Sequence, residues 1–314
     1  MQQRSIKPGG SFLRYTLILL IFSACPPDSG PSSTHFIDQE TVSVEQPLPP
    51  SDLTPETGAS YVDTSNGYWL HYSQSATCVD VGSESFDNIN RSLYLIEMAQ
   101  DDFGVLLETW TACDLELSPV LNLLPVIKEE NYNAIYPVVT EGGLFTSTNI
   151  GGGYSSGPFI ELWGLNLDNP LLDPLPTDGD DPAIYDADGD GFPGATLVFG
   201  TDICEAYVAQ RTITHFMGNL VTYDRLEGTS VMKTRQLVID ANTSFCRTSY
   251  STRSNDTRSR FARQRVDGQG GSLDLDVDGD GTITCEEIQG DQQSFSFIID
   301  ALFERIELDD YVCL

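Results

Sequence analysis

The chain has 314 residues, 40% of them hydrophobic and 10% aromatic, which is apolar mass enough for one large or two ordinary packed domains. Its formal net charge is -31, from 47 acidic against 16 basic residues. So acidic a body repels nucleic acid and anionic surfaces and draws cations, and three histidines (His35, His71, His215) are too few for a His-rich transition-metal site.

In chain order, residues 1–24 come first. Arg4, Lys7 and Arg14 precede an apolar run from Thr16 to Ala24, the basic and hydrophobic regions of a secretory signal. The run falls short of the roughly 20 residues that a spanning helix needs. It ends in Ile21-Phe22-Ser23-Ala24-Cys25, which resembles the lipobox of bacterial lipoproteins. That resemblance implies lipidation of Cys25, palmitate among the acyl chains, and anchoring to the cell envelope, with the outer membrane as the expected address. An ordinary secreted protein is the alternative.

Residues 25–60 carry this cysteine and then a stretch rich in Pro, Ser, Thr and acids, with too few large apolar residues to order it. It reads as a tether whose flexible chain spans roughly 30 Å.

From 61 to 265 the texture is that of strands. Gly67 to Tyr72, Ser92 to Ala99, Val105 to Ala112, Pro158 to Gly164, Ala195 to Phe199, Tyr207 to Tyr223 and Thr229 to Asp240 are rich in β-branched and aromatic residues. Turns are predicted at Gln100–Gly104 and Asp224–Gly228. Many short strands between turns indicate a mainly β fold, a sandwich or barrel of antiparallel strands. Trp69, Trp110 and Trp163 are read as core rather than as a sugar platform.

Residues 266–314 hold the most specific pattern. In the phrase Asp276-Val-Asp-Gly-Asp-Gly-Thr-Ile-Thr-Cys-Glu-Glu287, acids stand at positions 1, 3 and 5, glycine at 6, and Glu287 at 12. Calcium takes six to eight oxygen ligands, and this spacing supplies them from Asp276, Asp278, Asp280, the Thr282 carbonyl and a bidentate Glu287. The loop resembles those of the EF-hand family. The glycine-rich stretch before it excludes an entering helix, so it is closer to extracellular calcium modules such as dockerin-like repeats. Apolar residues at helical spacing from Phe295 to Ile306 predict a short C-terminal helix over 292–308, packed on the same domain.

A second phrase, Asp186-Ala-Asp-Gly-Asp-Gly-Phe-Pro-Gly194, repeats positions 1, 3, 5 and 6 through Asp186, Asp188, Asp190 and Gly191, but Leu197 stands at position 12. A remote acid (Asp178, Asp180, Asp181 or Glu205) would have to complete a metal shell there. The form D-x-D-G-D-G-x-P-G is similar to a phrase in uncharacterised families of bacterial lipoproteins, a resemblance that implies no activity.

With Cys25 on lipid, Cys78, Cys113, Cys204, Cys246, Cys285 and Cys313 remain, an even number that fits three disulfides in an oxidising compartment. Of the 15 possible pairings, Cys78 with Cys113 is the first expectation, because both lie on neighbouring strand-like stretches. Cys285, at a non-ligand position of the loop, is placed to tie the loop down.

Two further patterns are weighed. Gly153-Tyr-Ser-Ser-Gly157 fits G-x-S-x-G, but no helix follows it, and a glycine loop between strands is the expectation. Arg247, Arg253, Arg258, Arg260, Arg263 and Arg265 form either an anion-binding patch or, as favoured here, partners for surrounding carboxylates. The chain is therefore read as a calcium-binding envelope lipoprotein with a structural or binding role, its protein, glycan or lipid ligand unspecified. A surface hydrolase with a calcium-organised site, using Ser155 with His71 or His215, and a barrel carrier of a small apolar ligand are the alternatives.

Overall fold

The computed structural model describes residues 65–81, 84–117, 125–126, 138–199, 204–244, 246–247, 251–290 and 313, all within one compact unit spanning 35–314. The signal at 1–24, Cys25, the tether to residue 60 and the helix expected over 292–308 lie outside the described residues.

The strand-like stretches become strands longer than their most apolar parts: β1 (Gly67–Val81), β2 (Glu84–Gln100), β3 (Val105–Glu116), β4 (Pro125–Val126), β5 (Val138–Phe145), β6 (Gly153–Ser155), β7 (Phe159–Trp163), β8 (Ala195–Phe199), β9 (Cys204–Thr222), β10 (Arg225–Ala241), β11 (Ser251–Ser254) and β12 (Arg260–Arg265). One short helix, α1 (Cys285–Gly290), follows the 276–287 phrase. No helix among the described residues is long and apolar enough to cross a membrane.

Every strand pairing is antiparallel, and the pairings close on themselves. Around the ring the order is β1, β2, β3, β5, β6, β9, β10, β12 and back to β1, the last step pairing Trp69 with Arg265 and Leu70 with Gln264. This is an eight-stranded barrel. Strands β7 and β8 continue along the edge of β9 that β6 begins, β4 lies beside β8, and β11 extends the pairing of β1. Closure leaves the ring few free edges, which protects it from edge-to-edge association.

Side chains alternate between interior and exterior with the two-residue period of a strand. The interior holds Trp69, Tyr94, Ile96, Met98, Leu106, Trp110, Tyr154, Phe159, Phe216, Leu226 and Phe261. Part of the outer wall is buried too, because the phrase at 276–287 and α1 fold back over β1, β2 and β12. Leu275, Ile283 and Ile288 pack there against Leu70, Tyr72, Leu93, Leu95 and Ala262. This explains why Tyr68 to Tyr72 reads as a nearly unbroken apolar run: it is covered on both faces.

Two expectations are corrected. The turn predicted at Asp224–Gly228 is tighter, with β10 resuming at Arg225. Gly228 is a mid-strand glycine, since a Cβ there would lie 2.1 Å from the Met217 carbonyl oxygen and 2.6 Å from the Phe261 ring. Cys78 does not pair with Cys113, because β2 runs between their strands. The disulfides are Cys78–Cys313, Cys113–Cys285 and Cys204–Cys246. Cys285 does tie the acidic loop, and its anchor is β3.

Candidate metal centres

The two acidic phrases fold into the same local structure. In the second, Asp276 Oδ1 accepts hydrogen bonds from the amides of Gly279 (2.8 Å) and Asp280 (3.1 Å), and Oδ2 accepts from Gly281 (2.9 Å). In the first, Asp186 accepts from Gly189 (2.7 Å), Asp190 (3.2 Å) and Gly191 (2.9 Å) at the same offsets. Asp280 then accepts from Thr282 (2.7 Å) as Asp190 does from Phe192 (2.9 Å). The curl requires positive φ at positions 4 and 6, which glycine alone adopts at low cost: 71° and 91° at Gly189 and Gly191, 74° and 86° at Gly279 and Gly281.

The curl gathers carboxylates. Asp276, Asp278 and Asp280 each offer an oxygen within 4.8 Å of the others, as do Asp186, Asp188 and Asp190, so each trio is spaced to share one metal ion. An all-oxygen donor set suits a hard cation.

The loops part company at position 12. Glu287 turns back on its own loop: Oε1 accepts from the amide of Val277 (2.9 Å), and Oε2 accepts from the amide and hydroxyl of Thr284 (2.9 Å each). With the Glu287 amide donating to Thr284 Oγ1 (3.3 Å), Thr284 and Glu287 form a reciprocal capping box that starts α1. The bonds from Thr284, then those from Val277 and Asp278, hold the Glu287 carboxyl below its usual range. The carboxylate is thus ionised and aimed at the loop it would close. Thr282, whose carbonyl belongs to position 7, is exposed on the same loop.

In the first loop β8 begins where the closing acid would stand, and Leu197 is buried in it. Thr196 takes up the carboxylates instead, its amide donating to Asp188 (2.8 Å) and its hydroxyl to Asp190 (2.6 Å). Burial raises the pKa of Asp188, while at Asp186 burial is outweighed by the bonds from Gly191 and Gly189, which lower it. None of Asp178, Asp180, Asp181 and Glu205 joins the trio among the described residues. Both loops are closed by hydrogen bonds, the first through Thr196 and the second through Glu287, and only the second carries a carboxylate at position 12.

No family model, curated protein or solved structure matches the chain.

Five of the six arginines are paired with acids: Arg247 with Asp240, Arg253 with Asp80 (2.9 Å), Arg258 with Asp87 (3.6 Å), Arg263 with Glu108 (2.7 Å) and Arg265 with Asp267 (2.7 Å). They neutralise carboxylates, as favoured from the sequence. Gly153–Ser155 is strand rather than loop, and Ser155 points outward, paired with Met217. His71 is on the inner face of the wall and His215 on the outer, and no hydrogen bond joins Ser155 to either among the described residues.

The largest feature that sequence reasoning missed is inside the barrel. Arg263, fully buried, grips buried Glu108 with both terminal nitrogens (2.7 and 3.3 Å). Glu108 also accepts from the Tyr154 hydroxyl (2.7 Å) and from Thr140 (3.3 Å). Arg263 Nε donates to His71 Nδ1 (2.9 Å), which leaves the imidazole proton on Nε2. The guanidinium lies 4.8 Å from the Trp110 ring centre and 4.7 Å from that of Tyr154. Parity carried the signal: Glu108 stands between inward Leu106 and Trp110, and Arg263 follows inward Phe261 at a spacing of two. These groups and their rings lie together in the barrel interior.

Proposed function

We propose that the chain is an exported lipoprotein of the bacterial cell envelope, anchored through Cys25, whose barrel is stabilised by calcium and serves a structural or binding role through its outer surface. Calcium is held by Asp276, Asp278, Asp280, the Thr282 carbonyl and Glu287. The observation that carries this reading is Glu287, which reaches back across ten residues to the start of its loop. Supporting it are an all-oxygen donor set, loop hydrophobics buried against the barrel, and disulfides suited to an oxidising compartment. The ion would neutralise clustered carboxylates and fix the segment that covers the outer wall of β1 and β2. At the about 10⁻⁴ to 10⁻³ M affinity of extracellular modules, the site fills only where calcium is plentiful.

The test is thermal unfolding with calcium, with magnesium and with chelator. A ligand at about a hundredfold excess over Kd stabilises by about 2.7 kcal/mol, so Tm is expected to rise with calcium. Glu287→Gln keeps the helix cap, which glutamine also makes, and removes the charged ligand; it should abolish most of the rise. A Tm indifferent to chelator in both proteins refutes the calcium assignment.

A further inference from the structure

The strand registers place three hairpin tips on one rim of the barrel. Pairing of Gly67 with Met98, Val105 with Leu144, Gly153 with Asn219 and Arg225 with Thr222 brings the turns at 101–104, 146–152 and 223–224 to the same end. They are consecutive around the ring, and each carries a large apolar or aromatic residue open to solvent: Phe103 (89% exposed), Ile150 (55%) and Tyr223 (66%). Val221, just before the third turn, is exposed as well.

The start of the described chain is fastened to this same rim. The Ser65 hydroxyl donates to Gln100 Oε1 (2.9 Å), the Gln100 amide donates to Asn66 Oδ1 (2.7 Å), and Trp69 Nε1 donates to the Ser65 carbonyl (3.0 Å). Ser65, where the described chain starts, therefore lies beside the three tips. Of the acids on these tips, Asp101 accepts from the amides of Phe103 and Val105 and Asp224 accepts from Thr222 and Gln264, while Asp102 is exposed beside Phe103. The apolar residues toward the opposite end, Leu171 and Leu172, stand in a stretch with Asp168, Asp173, Asp178, Asp180 and Asp181 instead.

We propose that the rim bearing Phe103, Ile150 and Tyr223 is a membrane-docking surface, set into the headgroup region of the bilayer to which the N-terminal lipid ties the chain. The proposal rests on the lipoprotein reading for its anchor. Three separate tips suit a fluid interface, which adapts to any spacing, and a phenolic and a benzyl ring suit the boundary between headgroups and acyl chains. An acidic body makes the preferred surface zwitterionic, because anionic headgroups repel it. A flexible tether holds the barrel near the membrane at high effective concentration, so three side chains suffice to select the face that docks.

The experiment uses the full chain with its lipid in phosphatidylcholine vesicles with brominated acyl chains. The native tryptophans Trp69, Trp110 and Trp163 are buried and give a common background. Phe103→Trp is expected to add fluorescence that the brominated lipid quenches, whereas Thr243→Trp, exposed beyond the far end of β10, adds fluorescence that it does not. Absence of quenching at position 103, or equal quenching at 103 and 243, overturns the proposal. The mass of the mature N-terminus tests the anchor separately. If Cys25 carries no lipid, vesicle sedimentation of the unanchored chain decides: about tenfold or greater loss of binding in Phe103→Ser/Ile150→Ser/Tyr223→Ser supports the rim, and no loss overturns it. A dimer in solution that this triple variant dissociates would make the rim a contact between copies, and would also overturn it.

Discussion

At the scale of single residues, the Arg263–Glu108 pair dominates. Two charges at 0% and 1% exposure are tolerable only because each is gripped by the other and by Tyr154, Thr140 and His71. Burial opposes the charge on Arg263, but Glu108 outweighs it and raises the guanidinium pKa. Glu108→Ala strands a cation among aromatic rings and is expected to cost about 3–5 kcal/mol in urea unfolding, while Glu108→Leu with Arg263→Met costs much less. His71 adds a pH dependence. Burial first, and Arg263 second, push its pKa well below 6.5, so the folded state refuses a proton that the unfolded chain accepts. The acid face of the network, Glu108, and the Tyr154 hydroxyl are both already engaged by Arg263 and each other. Its contribution is intact above about pH 6.5 and is lost as pH falls from there toward the lowered value, at up to about 1.4 kcal/mol per pH unit. Urea midpoints from pH 7.5 to 5.5 should show this slope, and His71→Gln should flatten it.

At the scale of elements, the acidic loop is bolted to the wall rather than hung from it. Ile283 and Ile288 fill an outer hydrophobic layer, Cys285 is bonded to Cys113 of β3, and the Gln289 side chain donates to the Cys113 carbonyl (2.7 Å). Such a loop is held in its curl before any ion arrives, which reduces the entropy lost on binding. Cys113→Ser/Cys285→Ser is expected to lower stability by about 2–5 kcal/mol and to weaken calcium binding by calorimetry, with Glu287 still required. Unchanged affinity in the double variant would show that packing alone presets the loop. The curled loop was legible in the sequence because its acids, glycines and closing glutamate lie within twelve consecutive residues. Its tie to β3 was not, since parity and spacing say nothing of which distant cysteine a strand brings near. The same limit hid the pairing of Cys78 with Cys313 and favoured a neighbour that β2 in fact separates from it.

At the scale of the whole molecule, alternation and turn residues announced many antiparallel strands, and those are present. What separates a sandwich from a barrel is the pairing of β1 with β12, decided by residues far apart in the chain. Parity set Glu108 and Arg263 on inward faces, but which inward acid meets which inward base is decided by strands 155 residues apart. That closure also governs assembly. His71 and the Arg263 that donates to it are 192 residues apart. A nascent chain threading out of a ribosome or translocation channel can form the β1–β2 and β2–β3 hairpins early, yet its first strand has no mate on the other side until β11 and β12 have emerged. Through that interval one edge of β1 stays open and Glu108 lacks its counter-ion, a period when a holding chaperone would have the most to protect.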